Sequence, residues 1–338
     1  MRALVTGGGG FLGLAIVERL LERGDAVRSF SRGDYPNLFA RGVEVRQGDL
    51  ADRDAVIAAA EGCDLVFHVA AKAGIWGRYA DFHETNVVGT ENVLDGCRRW
   101  GINRLVYTSS PSVVFNGCDM EGINESAPYP GRYEAAYPQT KAIAERKVLE
   151  ANSSDFATVA LRPHLIWGPG DNNLIPRILE RGKKGQLRRI GRRSKLVDCT
   201  YIDNAADAHL LAAARLQPGS PTSGKAYFIS QGEPMPLWDL VDGILKAGGL
   251  PSVTKTMSPR LAYLTGWGME LIYRGLPVKA EPRMTRFLAK ELSTAHWFDL
   301  SAARRDLAYE PKVSIAEGLS RLKDWLTTEP RLTTERRP

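Results

Sequence analysis

Cysteine and histidine are scarce in this chain, and neither residue type forms a recognisable pattern. The 338 residues include four cysteines and five histidines. No cysteine belongs to a CxxC pair, and four thiols spread over this length do not make a disulfide scaffold. We therefore expect reduced thiols, as in cytosolic proteins. The histidines show no HxH or HExxH spacing, so the sequence signals no metal site.

Long apolar runs and a strong charge excess are also missing. No apolar stretch approaches the roughly 18 residues that span a bilayer, and the longest candidate, 261–276, is interrupted by glycines and charged residues. The chain passes from Met1 and Arg2 directly into a short apolar run, so we expect no signal peptide. A net charge of +6 is too small to predict nucleic-acid binding. We expect a cytoplasmic protein with no transmembrane segment and no nucleic-acid partner.

The first half of the chain alternates short apolar runs with helical patterns. The apolar runs predict strands at 2–6, 26–30, 43–46, 64–69, 104–108 and 157–161. The intervening patterns predict helices at 11–23, 52–60, 84–99 and 138–150. This alternation is typical of a parallel sheet with helices on both faces. We therefore predict an α/β fold built on a Rossmann-type, doubly wound parallel sheet.

Helical patterns dominate after about residue 163. They lie at 174–181, 204–215, 236–247, 260–273, 284–291 and 314–327, with strand candidates at 196–202 and 225–229. We predict a sheet domain over 1–163 that is completed by later segments near 196–230. A smaller, mostly helical substrate lobe over 164–328 is interleaved with it. The polar residues 329–338 are expected to form a frayed tail.

A glycine-rich turn connects the first predicted strand to the first predicted helix. Gly7, Gly10 and Gly13 have GxxGxxG spacing. The first glycine permits a tight turn, the second lets the backbone approach a pyrophosphate, and the third lets the helix pack close to the strand. The phosphates would lie at the helix amino terminus, beside Phe11 and Leu12. This context predicts a dinucleotide site in the sheet domain.

The end of the second predicted strand indicates which dinucleotide is bound. An NAD enzyme would place an acidic residue here to hold the ribose 2′-hydroxyl. This chain has Ser31 and Arg32 instead, and a guanidinium can clamp a 2′-phosphate. NADP(H) is therefore the predicted cofactor. NAD(H) is the alternative for two reasons. Asp34 lies close by, and Arg32 could instead be an ordinary surface arginine.

A YxxxK motif follows in the second half of the sheet domain. Tyr137 and Lys141 are four residues apart, so on a helix they share one face. A nearby ammonium and an oxidised nicotinamide both favour the phenolate, and we expect them to lower the pKa of the tyrosine. Pro138 is compatible only with a first helical turn, so the helix should begin near Tyr137. The pair is a candidate proton-transfer site.

Ser110 follows the fifth predicted strand, at the sheet edge where open α/β sheets bind ligands. Its hydroxyl is placed to polarise a carbonyl oxygen beside Tyr137. The alternative is a serine that only satisfies backbone groups where the strand meets the loop.

These segments resemble those of the extended short-chain dehydrogenase/reductases. The resemblance covers about residues 1–328 and rests on TGGGGFLG at 6–13, GDL at 48–50, HVAA at 68–71, NVVGTENVL at 86–94, YTSS at 107–110, YPQTK at 137–141, LRPHLIWGPGD at 161–171 and TYIDNAADAHL at 200–210. It implies a catalytic set of Ser110, Tyr137 and Lys141. It also implies that Asn86 supports the active-site water or the helix geometry.

The same resemblance implies a set of cofactor contacts. Adenine would lie beside Asp49 and Leu50, and the nicotinamide beside Pro163, His164 and Leu165. The remaining implied contacts, around the ribose, the pyrophosphate and the serine strand, are Ala70, Ala71, Lys72, Ser109, Tyr137 and Lys141.

Several segments resemble the 3β-hydroxysteroid dehydrogenase branch of this family, notably AAKAGIWGRY at 70–79 and ELSTAHWFDLSAARRDL at 291–307. Within it they resemble the group that reduces 2-alkyl-3-oxoalkanoates in bacterial olefin biosynthesis. The usual VYG after the serine strand is replaced by Val113-Val114-Phe115, so the substrate side of that loop differs. Apolar residues at 261–273 form a stripe that we assign to core rather than to a substrate tunnel.

The resemblance implies an NADP-dependent oxidoreductase of the EC 1.1.1 type that interconverts a ketone and a secondary alcohol on a bulky apolar substrate. Reduction of 2-alkyl-3-oxoalkanoates is the expected reaction. The alternatives are a 3β-hydroxysteroid dehydrogenase, a sugar-nucleotide epimerase or dehydratase, and a non-catalytic NADPH sensor. The helices at 84–99 and 138–150 occupy the positions that form a dimer interface in this family. Other enzymes of an olefin pathway are the expected protein partners.

Overall fold

A seven-stranded sheet forms the centre of the computed structural model, which describes residues 1–191, 195–275 and 281–328. The strands in the described residues are β1 (Arg2–Thr6), β2 (Ala26–Ser31), β3 (Glu44–Gln47), β4 (Leu65–His68), β5 (Arg104–Thr108), β6 (Met120–Ile123), β7 (Ala157–Pro163), β8 (Ile166–Trp167), β9 (Arg189–Ile190), β10 (Leu196–Val197), β11 (Thr200–Tyr201), β12 (Lys225–Ile229), β13 (Met235–Pro236), β14 (Thr256–Met257) and β15 (His296–Phe298).

Helices connect the strands on both faces of this sheet. They are α1 (Phe11–Glu22), α2 (Pro36–Phe39), α3 (Arg53–Ala60), α4 (Tyr79–His83), α5 (Gly89–Trp100), α6 (Ala136–Glu150), α7 (Leu174–Lys183), α8 (Ile202–Arg215), α9 (Leu237–Ala247), α10 (Pro259–Gly275), α11 (Arg286–Glu291) and α12 (Ile315–Thr328). Two π-helical turns lie at Glu84–Val88 and Ala303–Leu307, and a 3₁₀ turn lies at Pro111–Val114.

The strand order of the sheet is β12-β7-β5-β4-β1-β2-β3, and every neighbouring pair is parallel. The predicted Rossmann-type α/β fold is therefore confirmed. All carboxyl ends meet at one edge, where Thr6 is in register with Phe30 and His68. The order reverses between β1 and β4, and this reversal is the point at which open α/β sheets bind ligands.

The two faces of the sheet are covered by different helices. One core cluster joins strand residues to α1 and α8, through residues such as Ile16 and Ala205. The other joins the sheet to α3, α5 and α6, through Val56, Val93 and Val148. Burial on both faces explains why the strands are almost continuously apolar.

Only part of the segment near 196–230 completes the main sheet. The strand β12 pairs with β7 as expected, whereas β10 pairs with β13 and β15, and β11 pairs with β8. The expectation for 196–202 is therefore wrong, because β12 already occupies the edge beside β7. The buried Asp198 carboxylate ties this region to the end of β12 by accepting hydrogen bonds from Ser230 Oγ at 2.8 Å and Gly232 N at 2.9 Å.

The apolar stripe at 261–273 is not core. Its large residues Leu261, Leu264, Trp267, Leu271 and Ile272 lie on the outer face of α10 and are 49–60% exposed. The assignment of this stripe to core is wrong for these five, because neighbouring segments pack only against the opposite face of the helix. Within the described ranges, no helix has both the length and the apolar character needed to cross a membrane. The predicted tail at 329–338 lies outside the described residues.

Candidate active site

The glycine turn after β1 brings three chain segments into close contact. Gly7 has a φ of +71°, and a Cβ at this position would lie 3.0 Å from Ala70 Cα. A Cβ on Gly13 would lie 2.0 Å from the carbonyl oxygen of Gly7. Gly10 N donates to that same oxygen at 2.9 Å. Glycine is therefore required at positions 7 and 13, and the turn holds the start of α1 directly above the carboxyl end of β1.

The amino terminus of α1 is suited to an anionic ligand. The helix begins at Phe11, its N-cap is Gly10, and no side chain caps it. No acidic residue lies in the first turn, which includes Leu12 and Gly13. Uncapped N–H groups and the helix dipole favour a phosphate here. The turn therefore fits the pyrophosphate of a dinucleotide.

Tyr35 covers this turn, and the sequence did not indicate it. A Cβ on Gly9 would lie 2.4 Å from the Tyr35 ring, and one on Gly33 would lie 3.2 Å from it. Tyr35 is the N-cap of α2, far from the turn in sequence. No local pattern links the two, so only the tertiary fold reveals the contact.

The end of β2 presents the groups expected to select the cofactor. Ser31 is buried, and its hydroxyl has no hydrogen-bond partner among the described residues. The Arg32 side chain is exposed and forms no ion pair within the described part of the chain, while its carbonyl accepts from Gln47 Nε2 at 2.8 Å. Asp34 is also exposed. An unpaired guanidinium beside a free hydroxyl fits a 2′-phosphate.

The residues after β3 differ in exposure. Asp49 is exposed, and its Oδ1 accepts a hydrogen bond from Ala51 N at 3.0 Å. Leu50 is buried, and its carbonyl accepts from Asn92 Nδ2 at 2.7 Å. An adenine beside this pair would therefore contact the polar Asp49 and the apolar Leu50.

Asn86 connects the loop after β4 to the helix α6. Its Oδ1 accepts from Lys72 N at 2.7 Å, and its Nδ2 donates to Lys72 O and Thr140 Oγ1, both at 3.0 Å. Asn86 is buried, so every polar atom of its amide is used inside the protein. The loop at 70–72, with Ala71 exposed, is thereby held beside α6.

A buried hydrogen-bonded chain lies beneath the same loop. Thr6 Oγ1 is 2.8 Å from His68 Nδ1, and His68 Nε2 is 2.9 Å from Thr90 Oγ1. Burial lowers the pKa of His68 to about 3, and the nearby Lys141 charge lowers it further. The imidazole therefore remains neutral at physiological pH. Thr6 Oγ1 also accepts from Ala70 N at 3.1 Å, which ties the loop to β1.

The helix α6 begins at Ala136, which confirms the expected start near Tyr137. Burial raises the pKa of Tyr137 to about 12, the neighbouring Ser110 hydroxyl opposes this rise, and the Glu291 carboxylate adds to it. Ser110 lies at the N-cap of the 3₁₀ turn, with its Oγ 2.9 Å from Ser112 Oγ. Ser110 and Tyr137 are thus brought together at the carboxyl edge of the sheet. Ser109, in contrast, is buried, and its hydroxyl has no partner among the described residues.

The Lys141 side chain is directed toward β5 rather than toward Tyr137. Its Nζ donates to Thr108 O at 2.6 Å and lies 4.1 Å from the centre of the Tyr107 ring. Burial lowers the pKa of Lys141 to about 7, and Glu145 one turn later opposes this change. The ammonium alone does not lower the pKa of Tyr137 in this arrangement, because Lys141 Nζ is hydrogen-bonded to Thr108 O. Burial controls both groups and moves the pKa of Tyr137 upward.

The segment after β7 turns sharply at the expected nicotinamide position. Pro163 ends the strand, and Leu165 has a φ of +44°, unusual for a residue with a side chain. The His164 ring is buried, with Nδ1 2.7 Å from Asp198 O, and burial lowers its pKa to about 4. Its side chain belongs to the core, which leaves the backbone of 163–165 to contact a cofactor.

The C-terminal lobe contributes Phe287 and Glu291, which the sequence did not single out. Phe115 is buried and packs edge-on against Phe287 of α11, with ring centroids 6.0 Å apart. Glu291, at the end of α11, is close enough to Tyr137 to affect its pKa. Burial raises the pKa of Glu291 itself to about 7. The departure from VYG at 113–115 therefore places an aromatic ring against the lobe.

The four cysteines are all unpaired. Within the described ranges, no group of three or more histidine, cysteine, aspartate or glutamate side chains is arranged to hold a metal ion.

Comparisons with known proteins identify relatives of this chain. The chain is 53% identical over 325 residues to a 2-alkyl-3-oxoalkanoate reductase of Stenotrophomonas maltophilia, covering 96% of this chain and 98% of the relative. It is 51% identical over 329 residues to a 2-alkyl-3-oxoalkanoate reductase of Shewanella oneidensis, covering 95% and 85%. The fold matches UDP-glucose 4-epimerase of Thermotoga maritima with a TM-score of 0.76 at 20% identity, covering 98% of this chain and 100% of that chain.

A family match extends over most of the sheet domain and the lobe. Residues 4–260 match the 3-beta hydroxysteroid dehydrogenase/isomerase family. The expected resemblance is confirmed, and with it the assignment to oxidoreductases that act on CH–OH groups. The chain belongs to the 3-beta hydroxysteroid dehydrogenase/isomerase family, within the extended short-chain dehydrogenase/reductases.

Proposed function

We propose that this enzyme uses NADPH to reduce 2-alkyl-3-oxoalkanoates to 2-alkyl-3-hydroxyalkanoates. The observation that carries the substrate class is the identity above 50% to two reductases of that name over at least 95% of the chain. The placement of Ser110 and Tyr137 at the carboxyl edge of the sheet supports the reaction type. NADPH, when bound, supplies the hydride that reduces the carbonyl carbon.

The side chains of the site provide the proton and the polarisation. Tyr137 donates its phenolic proton to the developing alkoxide oxygen, and the raised pKa keeps that proton on the phenol at neutral pH. Ser110 donates a hydrogen bond to the same oxygen and stabilises its negative charge. Lys141 would hold the cofactor ribose from the same face of α6 as Tyr137. Asn86 acts as a positioning residue, because it fixes both the 70–72 loop and α6.

The preference for NADPH over NADH rests on the end of β2. Arg32 is exposed and unpaired with any described carboxylate, and the Ser31 hydroxyl beside it has no partner within the described part of the chain. A 2′-phosphate would satisfy both groups. The backbone N–H groups at the start of α1 would bind the pyrophosphate, while Asp49 and Leu50 would contact the adenine.

Apolar chains on the substrate provide a test of the proposed class. Each methylene that becomes buried contributes about 0.8 kcal/mol, so eight additional methylenes contribute roughly 6 kcal/mol before ordering costs. We expect kcat/KM to rise with acyl length across a series of 2-alkyl-3-oxoalkanoates, measured by NADPH absorbance. UDP-glucose should neither bind nor be epimerised, and Tyr137→Phe provides the inactive control.

The alternatives make different predictions in the same assay. A flat response to chain length together with tight UDP-sugar binding would move the enzyme to the epimerase group. Faster turnover of a 3β-hydroxysteroid than of any oxoalkanoate would identify a steroid enzyme. Cofactor binding without turnover of any ketone would indicate an NADPH sensor.

A homodimer formed through α5 and α6 is the proposed assembly. The apolar residues expected at this interface divide into two sets. Five are buried within one protomer, namely Val87, Val93, Leu94, Ala144 and Val148, and three remain partly accessible, namely Val88, Ile143 and Leu149. A strict monomer at micromolar concentration in light scattering would refute the dimer. Enzymes that supply a 2-alkyl-3-oxoalkanoate or consume the hydroxy acid are the proposed pathway partners.

A further inference from the structure

Three arginines of the C-terminal lobe lie close together around the helix α7. Arg177 and Arg181 are four residues apart on this helix, so they share one of its faces. Arg177 forms an ion pair with Glu281 at 2.8 Å, which ties the segment that carries Arg283 to α7. Arg177, Arg181 and Arg283 are here called the arginine cluster.

Arg181 is the member of the arginine cluster that lacks a partner. Its side chain is partly buried, and its guanidinium forms no hydrogen bond or ion pair with any described residue. Burial lowers the pKa of Arg181, and the positive charges of Arg177 and Arg283 lower it further. The carboxylates of Glu180 and Glu281 oppose this change, but each is already paired with another cation. A partly buried guanidinium in these surroundings favours a bound anion.

The segments that carry the arginine cluster contact both cofactor loops of the sheet domain. Just before α7, Gly170 lies against the ring of Phe11, with an added Cβ 3.9 Å from it. Phe11 begins the helix whose amino terminus fits the pyrophosphate. From the other segment, Glu281 Oε1 lies 2.9 Å from the position of a Cβ on Gly74, in the loop that continues from 70–72. The lobe therefore presents these arginines beside the proposed cofactor site.

We propose that the arginine cluster binds the carboxylate of a 2-alkyl-3-oxoalkanoate, while the ketone of the same molecule is presented to Ser110 and Tyr137. The assignment of this particular acid rests on the proposed function. Arg181 donates hydrogen bonds to the carboxylate, because the planar guanidinium matches two carboxylate oxygens. Arg177 and Arg283 flank the carboxylate and add positive charge.

The carboxylate is the anion that this site fits best. It is the only charged group of the proposed substrate, and it needs a partner once it leaves water. The pyrophosphate of the cofactor is the other anion nearby, but the uncapped amino terminus of α1 already accounts for it. The ion pair between Glu281 and Arg177 leaves the cluster only a small excess of positive charge, which suits a single negative charge.

The test measures binding of an acid that cannot be reduced. The probe is 2-hexyldecanoate, which has two alkyl chains and no ketone, and its methyl ester is the uncharged comparison. Both are titrated by calorimetry into the enzyme loaded with NADP⁺. We expect the wild type to bind the acid about tenfold or more tightly than the ester. Arg181→Gln should weaken acid binding by about 10- to 100-fold and leave ester binding unchanged. Arg181→Lys keeps the charge and should remain within about fivefold of the wild type.

Arg260→Gln is the matched control, because Arg260 is an exposed arginine of the same lobe that forms no ion pair with a described residue. It should bind acid and ester as the wild type does. Arg181→Gln should not lower the free energy of unfolding in urea, since the guanidinium has no described partner to leave unpaired. Equal acid binding by the wild type and Arg181→Gln would overturn the proposal. A parallel loss of ester binding, or a less stable variant, would overturn it as well.

Two further titrations examine the other anions. Weaker NADPH binding by Arg181→Gln in the absence of acid would assign the arginine cluster to the cofactor pyrophosphate and overturn the proposal. Tight binding of UDP that is lost in Arg181→Gln would overturn it in favour of a nucleotide diphosphate. If the wild type fails to reduce 2-alkyl-3-oxoalkanoates, the proposed function is refuted. The inert probe still decides whether Arg181 binds a carboxylate, because its binding involves no reduction.

Discussion

The helices α1 and α10 both carry an apolar face, but only α1 buries it. In α1, Leu12, Ile16, Val17 and Leu20 lie between the sheet and α8 and are nearly inaccessible to solvent. In α10 the corresponding large residues point outward, while the buried positions are Ala262, Gly266 and Glu270. The helix α1 is therefore covered both by the sheet and by α8, whereas α11 covers one side of α10.

The difference shows that periodicity identifies a face but not what the face contacts. The face of α1 has a partner within the chain, since Arg19 of this helix pairs with Asp207 and Asp203 of α8. In α10, small residues allow close approach to α11, and the bulky residues remain on the other side.

The largest expected effect tests whether the chemistry resides in the sheet domain. Tyr137→Phe removes the proton donor, and a single proton-transfer group typically contributes about 10²–10⁴-fold to turnover. We expect a loss of that size in steady-state NADPH consumption, with NADPH affinity retained in fluorescence titration. Near-normal turnover would mean that another group donates the proton, and Glu291 of the lobe would be the first candidate.

A pair of substitutions compares the two helices directly. Ile16→Ala on α1 should lower the free energy of unfolding by about 2–5 kcal/mol, because it leaves a cavity at a fully buried position. Leu264→Ala on α10 should change it by no more than about 0.5 kcal/mol, because that side chain is 60% exposed. Urea titration gives both values. A comparable loss for Leu264→Ala would mean that another copy of the chain buries this residue.

Arg32→Ala examines the ligand surface of the sheet domain. Hydrogen bonds to a charged group contribute about 1.5–3 kcal/mol, so NADPH should bind roughly 10- to 100-fold more weakly. NADH affinity is the internal control and should not change, since NADH lacks the 2′-phosphate. Unchanged NADPH affinity would remove Arg32 from the cofactor site.

The smallest expected effect concerns the lobe's contribution to the reaction. Glu291 raises the pKa of Tyr137, and because its own pKa is about 7, it carries charge mainly above that pH. Glu291→Gln removes the charge and should lower the pKa of Tyr137. Reduction requires the protonated phenol, so its alkaline limit should move to lower pH, by less than about one unit. An unshifted pH profile would show that the lobe does not tune the phenol.

Local sequence patterns predicted the parts of the site that lie close together along the chain. The glycine turn, the Tyr137–Lys141 spacing and the strands of the main sheet each depend on a few neighbouring residues. Contacts between distant segments could not be predicted in this way. The Tyr35 ring lies against Gly9, and the Glu291 carboxylate raises the pKa of Tyr137, only because the fold brings these residues together.

The same limit explains the errors. Strands β8 to β11 have two residues each and pair through tertiary contacts, so no period-2 pattern identifies them. The pKa of Lys141 depends on its burial between α6 and β5, which the spacing of the motif does not report. The outward direction of α10 depends on which side α11 occupies.

The π-helical turn at 84–88 changes the phase of an otherwise continuous helix. Gly89 N donates a hydrogen bond to Glu84 O, five residues back, so this turn contains one more residue than an α-helical turn. One added residue rotates everything that follows by about 100°. Asn86 can therefore face Lys72 while Gly89 still lies against Leu50, where an added Cβ would be 2.7 Å from the leucine Cβ. A regular α-helix of the same length could form one of these two contacts but not both.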